Sequence, residues 1–393
     1  VESESLAKQT ALEIGKPLRY AKAEMSRAIA LIQACIGRVD EPLQVQCGQC
    51  SRLYYRPLGT VAIVTPWNNP VAIPIGKIVP ALFYGNTAVW KPSPLAFTVS
   101  NMLMQALNQA GLPSGTVKLL QGGTSTGYGL MSDQGIDGVT ITGALAAGYA
   151  AQEVCARRLI ALQAELGGNN TALVFSDCAL KDAADKIAEA AFGFAGQRCT
   201  ANRRVIVDAE CYDEFLFYLA QSAASLGWGD PLDLSVHIGL ISNEAVERVA
   251  ETVERARASG CKIILPHPYP SCKGAFFPPT IICCDDPTHE IVQEETVGPV
   301  LVVQKSTGWN HAISLCNGVK HGLTAALFSN SQERRAQFIH QAQAGILKFN
   351  GATADADAQA PFGGRKASHI GPPEHGPANR EFYARALTIY SYD

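Results

Sequence analysis

The chain reads as a doubly wound α/β protein, and three observations in the sequence predict it. Short runs rich in Val, Ile and Leu alternate with stretches of helical length between residues 58 and 165. The runs stay apolar on successive positions, as strands buried on both faces must. Lys91, Gly122, Gly123 and Gly143 fall just after predicted strands, where open α/β sheets bind their ligands.

In chain order, the first 35 residues carry a helical pattern that Gly15-Lys16-Pro17 breaks into two helices. Residues 41–56 suit an exposed hairpin. Strands are predicted at 61–64, 87–90, 117–120, 139–142 and 159–162, with helices at 97–110 and 144–156 between them. Repeated βαβ units of this kind imply a mostly parallel sheet. A second unit should begin near Asn169, with strand 171–175, helix 183–196, strand 205–207 and helix 244–258. Ala183, Ile187, Ala191 and Phe194 form an apolar stripe at helical spacing, and Gly196 ends that helix. Asn243 and Gly260 are the expected caps of the later helix. Residues 386–391 alternate as a last strand should.

The bulk properties narrow the function. A chain of 393 residues can hold two domains and a large core. Its charged fraction of 17% is low, which fits extensive burial, including subunit interfaces. A net charge of −3 supplies no basic field for nucleic acid or anionic lipid. Pro and Asn interrupt the most apolar stretch, 61–84, so no membrane span is expected. The first five residues lack both the basic region and the apolar core of a secretory signal. The expectation is a cytoplasmic protein. Its 12 cysteines are scattered without a disulfide framework, and most read as small buried hydrophobes. Cys47 and Cys50 have no second pair or nearby histidines to complete a metal site, and Cys283-Cys284 reads as core, so no metal is expected.

The chemistry lies elsewhere. Glu165-Leu166-Gly167-Gly168 precedes Gly196-Gln197-Arg198-Cys199, which sets a carboxylate and a thiol beside glycines that allow close approach. A thiolate can attack a carbonyl and hold the acyl group as a thioester, and a carboxylate can then activate water to release an acid. An aldehyde substrate would also need an electron acceptor.

Those two runs belong to a longer series: Pro66-Trp67-Asn68-Asn69-Pro70, Lys91-Pro92-Ser93, Thr142-Gly143, Glu294-Glu295-Thr296-Val297-Gly298-Pro299 and Pro361-Phe362-Gly363-Gly364. Together, in this order, they resemble the motifs of the aldehyde dehydrogenase superfamily, from about residue 10 to the C-terminus. Within it, Leu120-Gln121-Gly122-Gly123, 165–169 and 196–200 look closest to succinylglutamate-semialdehyde dehydrogenases.

The resemblance implies an NAD(P)-binding domain at 1–40 and 57–168, a catalytic domain at 169–354, and a small oligomerisation arm at 41–56 and 376–393. It further implies a homodimer or homotetramer. Family members usually carry several tens of residues ahead of this chain's start, which lacks an initiating Met, so the chain is either shortened or a short variant.

By the same resemblance, Cys199 is the nucleophile and Glu165 the base that hydrolyses the thioester. Asn68 would stabilise the oxyanion together with the backbone N–H of Cys199. Coenzyme contacts fall on Trp67, Lys91, Ser93, Gly123, Gly143, Gly167 and Glu295, and Phe362 becomes a pocket wall. Arg198 either lowers the thiol pKa or holds the loop or the substrate. Ala144 stands where the family usually has Ser. Pro94 stands where many NAD-preferring members carry Glu, so the coenzyme is NAD or NADP.

Related semialdehyde dehydrogenases grip a substrate carboxylate with Thr-Gly-Ala, where this chain has Ala354-Asp355-Ala356. Asp355 would oppose an anionic substrate and favour a neutral or amino-bearing aldehyde, with Asp357 adding to the effect. Alternatives are a coenzyme A-acylating semialdehyde dehydrogenase, against which Glu165 argues, and a silent binding protein on the same fold.

Overall fold

The computed structural model describes residues 2–264 and 274–392. Cys272 lies outside them. Gly15-Lys16-Pro17 separates helix α1 (Glu2–Ile14) from α2 (Leu18–Ile36), as the sequence predicts. The hairpin follows as β1 (Gln44–Gln46) and β2 (Ser51–Pro57), with Cys47 and Cys50 exposed in its turn.

The Val- and Ile-rich runs form strands β3 (Thr60–Val64), β4 (Thr87–Lys91), β5 (Val117–Leu119), β6 (Gly138–Thr142) and β7 (Ala161–Glu165). These five are parallel, in the order β7-β6-β3-β4-β5. Helices α3 (Ala72–Phe83), α4 (Phe97–Gln109), α5 (Thr124–Ser132) and α6 (Leu145–Arg158) make the crossovers. Strand β3 pairs with both β4 and β6, so the winding reverses there. A crevice therefore opens beyond the carboxyl ends of β3 and β6, the position where such sheets take ligands.

The second sheet combines β8 (Asn170–Val174), β9 (Asn202–Asp208), β10 (Lys262–Ile264), β11 (Thr280–Cys283), β12 (Val300–Ser306), β14 (Thr324–Phe328) and β15 (Ile346–Phe349). Its order is β10-β11-β12-β9-β8-β14-β15, with only β10 antiparallel. Its core includes Ile187 and Ala191 from α7 (Leu180–Phe192), Phe215 from α8 (Tyr212–Ser225) and Val249 from α9 (Asn243–Ala258), all fully buried.

A two-stranded ribbon pairs β13 (His321–Gly322) with β16 (Arg365–Lys366). Strand β17 (His369–Ile370) then joins the first sheet, antiparallel to β7, and β18 (Ala384–Tyr390) pairs with β2. The first sheet thus takes its sixth strand from the far end of the chain. Two residues are too few to show periodicity, so nothing in the sequence marks that strand.

Several expectations shift. The run at 159–162 begins as the end of α6, and Leu159 turns left-handed at φ 56 and is 91% exposed. The predicted helix 183–196 stops at Phe192, and Phe194 leaves the stripe for a left-handed turn with Ala195. Ser242, not Asn243, caps α9 through its side chain. Residues Gly376–Tyr383, expected in the arm, put Phe382 and Tyr383 into the core around β3 and β4. No helix among the described residues is long and apolar enough to cross a membrane.

Candidate active site

Between the two sheets lies a cavity of about 570 Å³ lined by Cys199, Glu165, Thr142, Arg198, Asp355 and Phe362, among others. The topology brings these distant residues together: Thr142 and Glu165 end β6 and β7, and Cys199 precedes β9.

The Cys199 loop is held by close backbone fitting. Gly196 has φ +67, and a Cβ on it would lie 2.1 Å from the Gly298 oxygen. Phe194 and Ala195 precede it in left-handed conformations at φ 55 and 52, which glycine tolerates better. Asn170, at a bulge between β8 and β9, donates Nδ2 to the carbonyls of Cys199 at 2.7 Å and Ala201 at 2.9 Å. Thr353 Oγ1 donates to the Thr200 carbonyl at 2.7 Å. Burial pushes the Cys199 thiol up to about 11, with Arg27 pulling the other way. Arg198, by contrast, lies over the Tyr20 ring with its guanidinium carbon 4.4 Å from the centroid.

Glu165 is buried, which pushes its carboxyl up to about 7, against the pull of a His369 hydrogen bond. Its Oε2 has no hydrogen-bond partner among the described residues. Behind it runs a buried polar chain. Lys77 Nζ pairs with Glu374 and donates to Thr140 Oγ1 at 2.7 Å, and Thr140 donates to Gln163 Oε1 at 2.9 Å.

Asn68 is not among the residues that line the cavity, but it touches the loop directly. Its Nδ2 donates to the Gln197 carbonyl at 2.8 Å, which leaves its second amide hydrogen uncommitted. Lys16 sets the turn: Nζ donates to Glu24 at 2.6 Å, to the Asn68 carbonyl at 3.0 Å and to Asn69 Oδ1 at 2.8 Å. Glu24 Oε1 in turn accepts from the N–H groups of Val71 and Ala72 at the start of α3.

The crevice at the strand ends has the donors a dinucleotide needs. Lys91 is buried at the end of β4 with no anionic partner among the described residues, and burial lowers its pKa. Thr142 Oγ1, at the end of β6, is buried with no hydrogen-bond partner among the described residues. Beside Gly123 a Cβ would meet nothing, and Gly143 N–H is held by the Glu165 carbonyl at 3.0 Å. Glu295 lies against Gly167, where a Cβ would come within 2.0 Å of its Oε2, and 3.8 Å from Arg203. Trp67 meets Phe194 edge to face at 6.2 Å, and Ser93 Oγ caps the short turn after β4. Orphaned polar atoms flanking an open crevice fit NAD or NADP.

Four residues of this site lie outside every sequence motif. Lys16 reads as part of a helix break, and Glu24, Arg27 and His369 sit in no recognised run. Spacing could have found Arg27: Tyr20, Ala23, Arg27 and Ala30 fall on one face of α2 and line the cavity together.

One further cluster joins Cys261, Cys284 and His289, whose ligand atoms lie within 4.8 Å. His289 Nδ1 accepts from Ile291 N–H at 3.1 Å and Nε2 meets Ser259 Oγ at 2.6 Å, so both ring nitrogens are engaged.

With this geometry established, comparison with known proteins is decisive. The sequence model of the Aldehyde dehydrogenase family matches residues 1–389. The chain belongs to the aldehyde dehydrogenase family. An α-ketoglutaric semialdehyde dehydrogenase of Bacillus subtilis is 33% identical over 402 residues, covering 98% of this chain and 82% of the relative. An N-succinylglutamate 5-semialdehyde dehydrogenase of Erwinia tasmaniensis is 37% identical, covering 93% and 75%. Among solved structures, an NAD-dependent aldehyde dehydrogenase from Sinorhizobium meliloti superposes with a TM-score of 0.94 at 29% identity, over 99% of this chain and 78% of that one. A betaine aldehyde dehydrogenase from Staphylococcus aureus in complex with NAD+ gives 0.94 at 28%, over 98% and 78%. An NADP-dependent enzyme of E. coli gives 0.93 at 29%, over 99% and 82%. As an aldehyde dehydrogenase, the chain carries out NAD(P)-dependent oxidation of an aldehyde.

Proposed function

We propose that Cys199 attacks the aldehyde, that Asn68 and the Cys199 N–H hold the oxyanion, and that Glu165 activates the water releasing the acid. The observation that supports this most is the convergence of Cys199 and Glu165 on one cavity from separate sheets. Bound coenzyme would accept the hydride as the tetrahedral adduct collapses. Lys91, Ser93 and Glu295 would hold its ribose side, and Trp67, Gly123, Gly143 and Gly167 would shape its path.

Arg27 refines the substrate. Its guanidinium carbon sits 5.9 Å from the Phe362 ring centroid, its Nε is buried, and among the described residues it has neither a hydrogen-bond partner at Nε nor an ion-pair partner. A half-buried cation in the pocket wall, with no ion-pair partner among the described residues, favours a substrate that carries its own anion. Asp355 also lines the cavity, but it is exposed, and the Lys348 ammonium bonds its backbone carbonyl. The balance favours a carboxylated aldehyde over the neutral or amino-bearing one that Asp355 alone suggests. The semialdehyde names of the relatives accord with that reading. Arg198 also lines the cavity.

The arm β1-β2-β18, with Leu387 and Ile389 exposed, suits a homodimer or homotetramer. A free Cys199 thiol suits the reducing cytoplasm.

The test is rapid-mixing kinetics with NAD and NADP over carboxylated, neutral and amino aldehydes. A burst of reduced coenzyme, absent in Cys199→Ala, supports the mechanism. Coenzyme binding with no burst on any aldehyde would refute it.

A further inference from the structure

Glu165 does not stand alone in the cavity wall. The register of β17 against β7 sets His369 opposite Glu165. His369 Nδ1 lies 2.7 Å from Glu165 Oε1, and Nε2 lies 2.5 Å from the Gly371 carbonyl oxygen. A carbonyl oxygen only accepts, so Nε2 must carry a hydrogen. The contact between Nδ1 and Oε1 then needs a proton of its own. Without one, two lone pairs would face each other at 2.7 Å. The pair therefore shares one proton, as imidazolium with carboxylate or as imidazole with carboxylic acid.

We propose that His369 is a positioning residue for the base: by one shared proton it holds Glu165 through Oε1 and leaves Oε2 free to meet the hydrolytic water. This rests on the reading of Glu165 as the base. In that step the water oxygen bonds to the thioester carbonyl carbon and one water O–H bond breaks. The proton passes to Glu165 Oε2, the carbon–sulfur bond breaks, and the Cys199 thiolate leaves. The shared proton stays between Nδ1 and Oε1 throughout, and Oε2 later returns its own to solvent.

The electrostatics agree. Burial drives Glu165 toward the neutral acid, and the imidazole is the strongest influence against it. Burial likewise pulls His369 down, but the Glu165 carboxylate overrides it and leaves the imidazole raised. The other titratable groups acting on Glu165 are Glu374, which opposes its charge, Lys77 of α3, which favours it, and the Cys199 thiol. Lys77 is already paired with Glu374, so His369 is the cation left to Glu165.

The experiment measures acid release after a single turnover, by rapid quench across pH, in His369→Ala and His369→Gln. We expect a full burst of reduced coenzyme in both variants, because acylation uses Cys199. In His369→Ala, acid release at neutral pH should fall about tenfold and its acid limb should move up by about one pH unit. Gln donates an N–H without charge, so it should restore the rate above the limb and leave the limb displaced. A limb that stays put in both variants overturns the proposal. If His369→Ala does not fold, judged by coenzyme binding, the limb of His369→Gln decides alone. Glu165→Gln separates the two ideas: a burst without acid release keeps Glu165 as the base, and full acid release removes that reading itself.

Discussion

Lys16 Nζ meets Glu24 Oε2 at 2.6 Å beneath the turn that carries Asn68. Both side chains are almost fully buried, at 3% and 2% exposure. One arm of the pair fixes the Asn68 carbonyl and the other caps α3, so two secondary elements share a single ionic joint. Removing one partner strands the other charge. Lys16→Met should therefore cost about 3–5 kcal/mol of stability, read from denaturant unfolding. The double change Lys16→Met with Glu24→Gln should recover part of it, which a purely additive loss would not allow.

That joint also shows where sequence reasoning stopped. The strands of the first sheet were legible because burial on both faces writes itself as continuous apolar runs, as in Val61, Ala62 and Ile63. Cys199 and Glu165 were legible because close backbone approach demands glycine beside them. Lys16, Glu24, Arg27 and His369 act through contacts with residues far along the chain, and a single charged residue at such a position looks like a solvated one. The last strand was legible by alternation and the hairpin by its mix of polar and apolar residues, whereas β17 was too short to alternate.

As the proposed base, Glu165 should make activity depend on pH with a definite sign. Its carboxyl is pushed up to about 7 by burial, so the base form is lost as pH falls through that value. Acid release should drop about tenfold for each pH unit below the limb and level off above it. The burst should persist where release has failed. In Glu165→Gln the release rate should fall by roughly 10²–10⁴, with the acyl-enzyme detectable by mass spectrometry. Equal loss of burst and release across acidic pH would show that the titrating group acts before the thioester.

Arg27 and Asp355 put opposite charges into one cavity, and substrate kinetics can tell which of them matters. Arg27→Met should raise KM for a carboxylated aldehyde by about 10- to 100-fold, the worth of a charged hydrogen bond, with little change in kcat. A neutral aldehyde of similar size should be unaffected. Asp355→Asn should lower KM for the carboxylated aldehyde by a few-fold at most, because the side chain is exposed and solvent screens it. The reverse ranking would assign the pocket to an amino-bearing aldehyde.

Gly196 is the backbone point that holds the Cys199 loop. Its φ of +67 is strained for any residue with a side chain, and a Cβ there would lie 2.1 Å from the Gly298 oxygen and 2.9 Å from that of Ala191. Neither obstacle is a flexible tip, so relief must come from moving backbone. Phe194 and Ala195 already hold left-handed conformations, which leaves the turn little slack to absorb a third. Gly196→Ala should therefore destabilise the protein by about 1–3 kcal/mol and shift Cys199 away from Glu165. Two readings separate these effects. Denaturant unfolding reports the stability loss. Below the unfolding range, a burst rate reduced by about 10²-fold with coenzyme affinity unchanged reports the displaced thiol. A folded Gly196→Ala protein with a normal burst would mean that the loop can carry Cys199 without this turn.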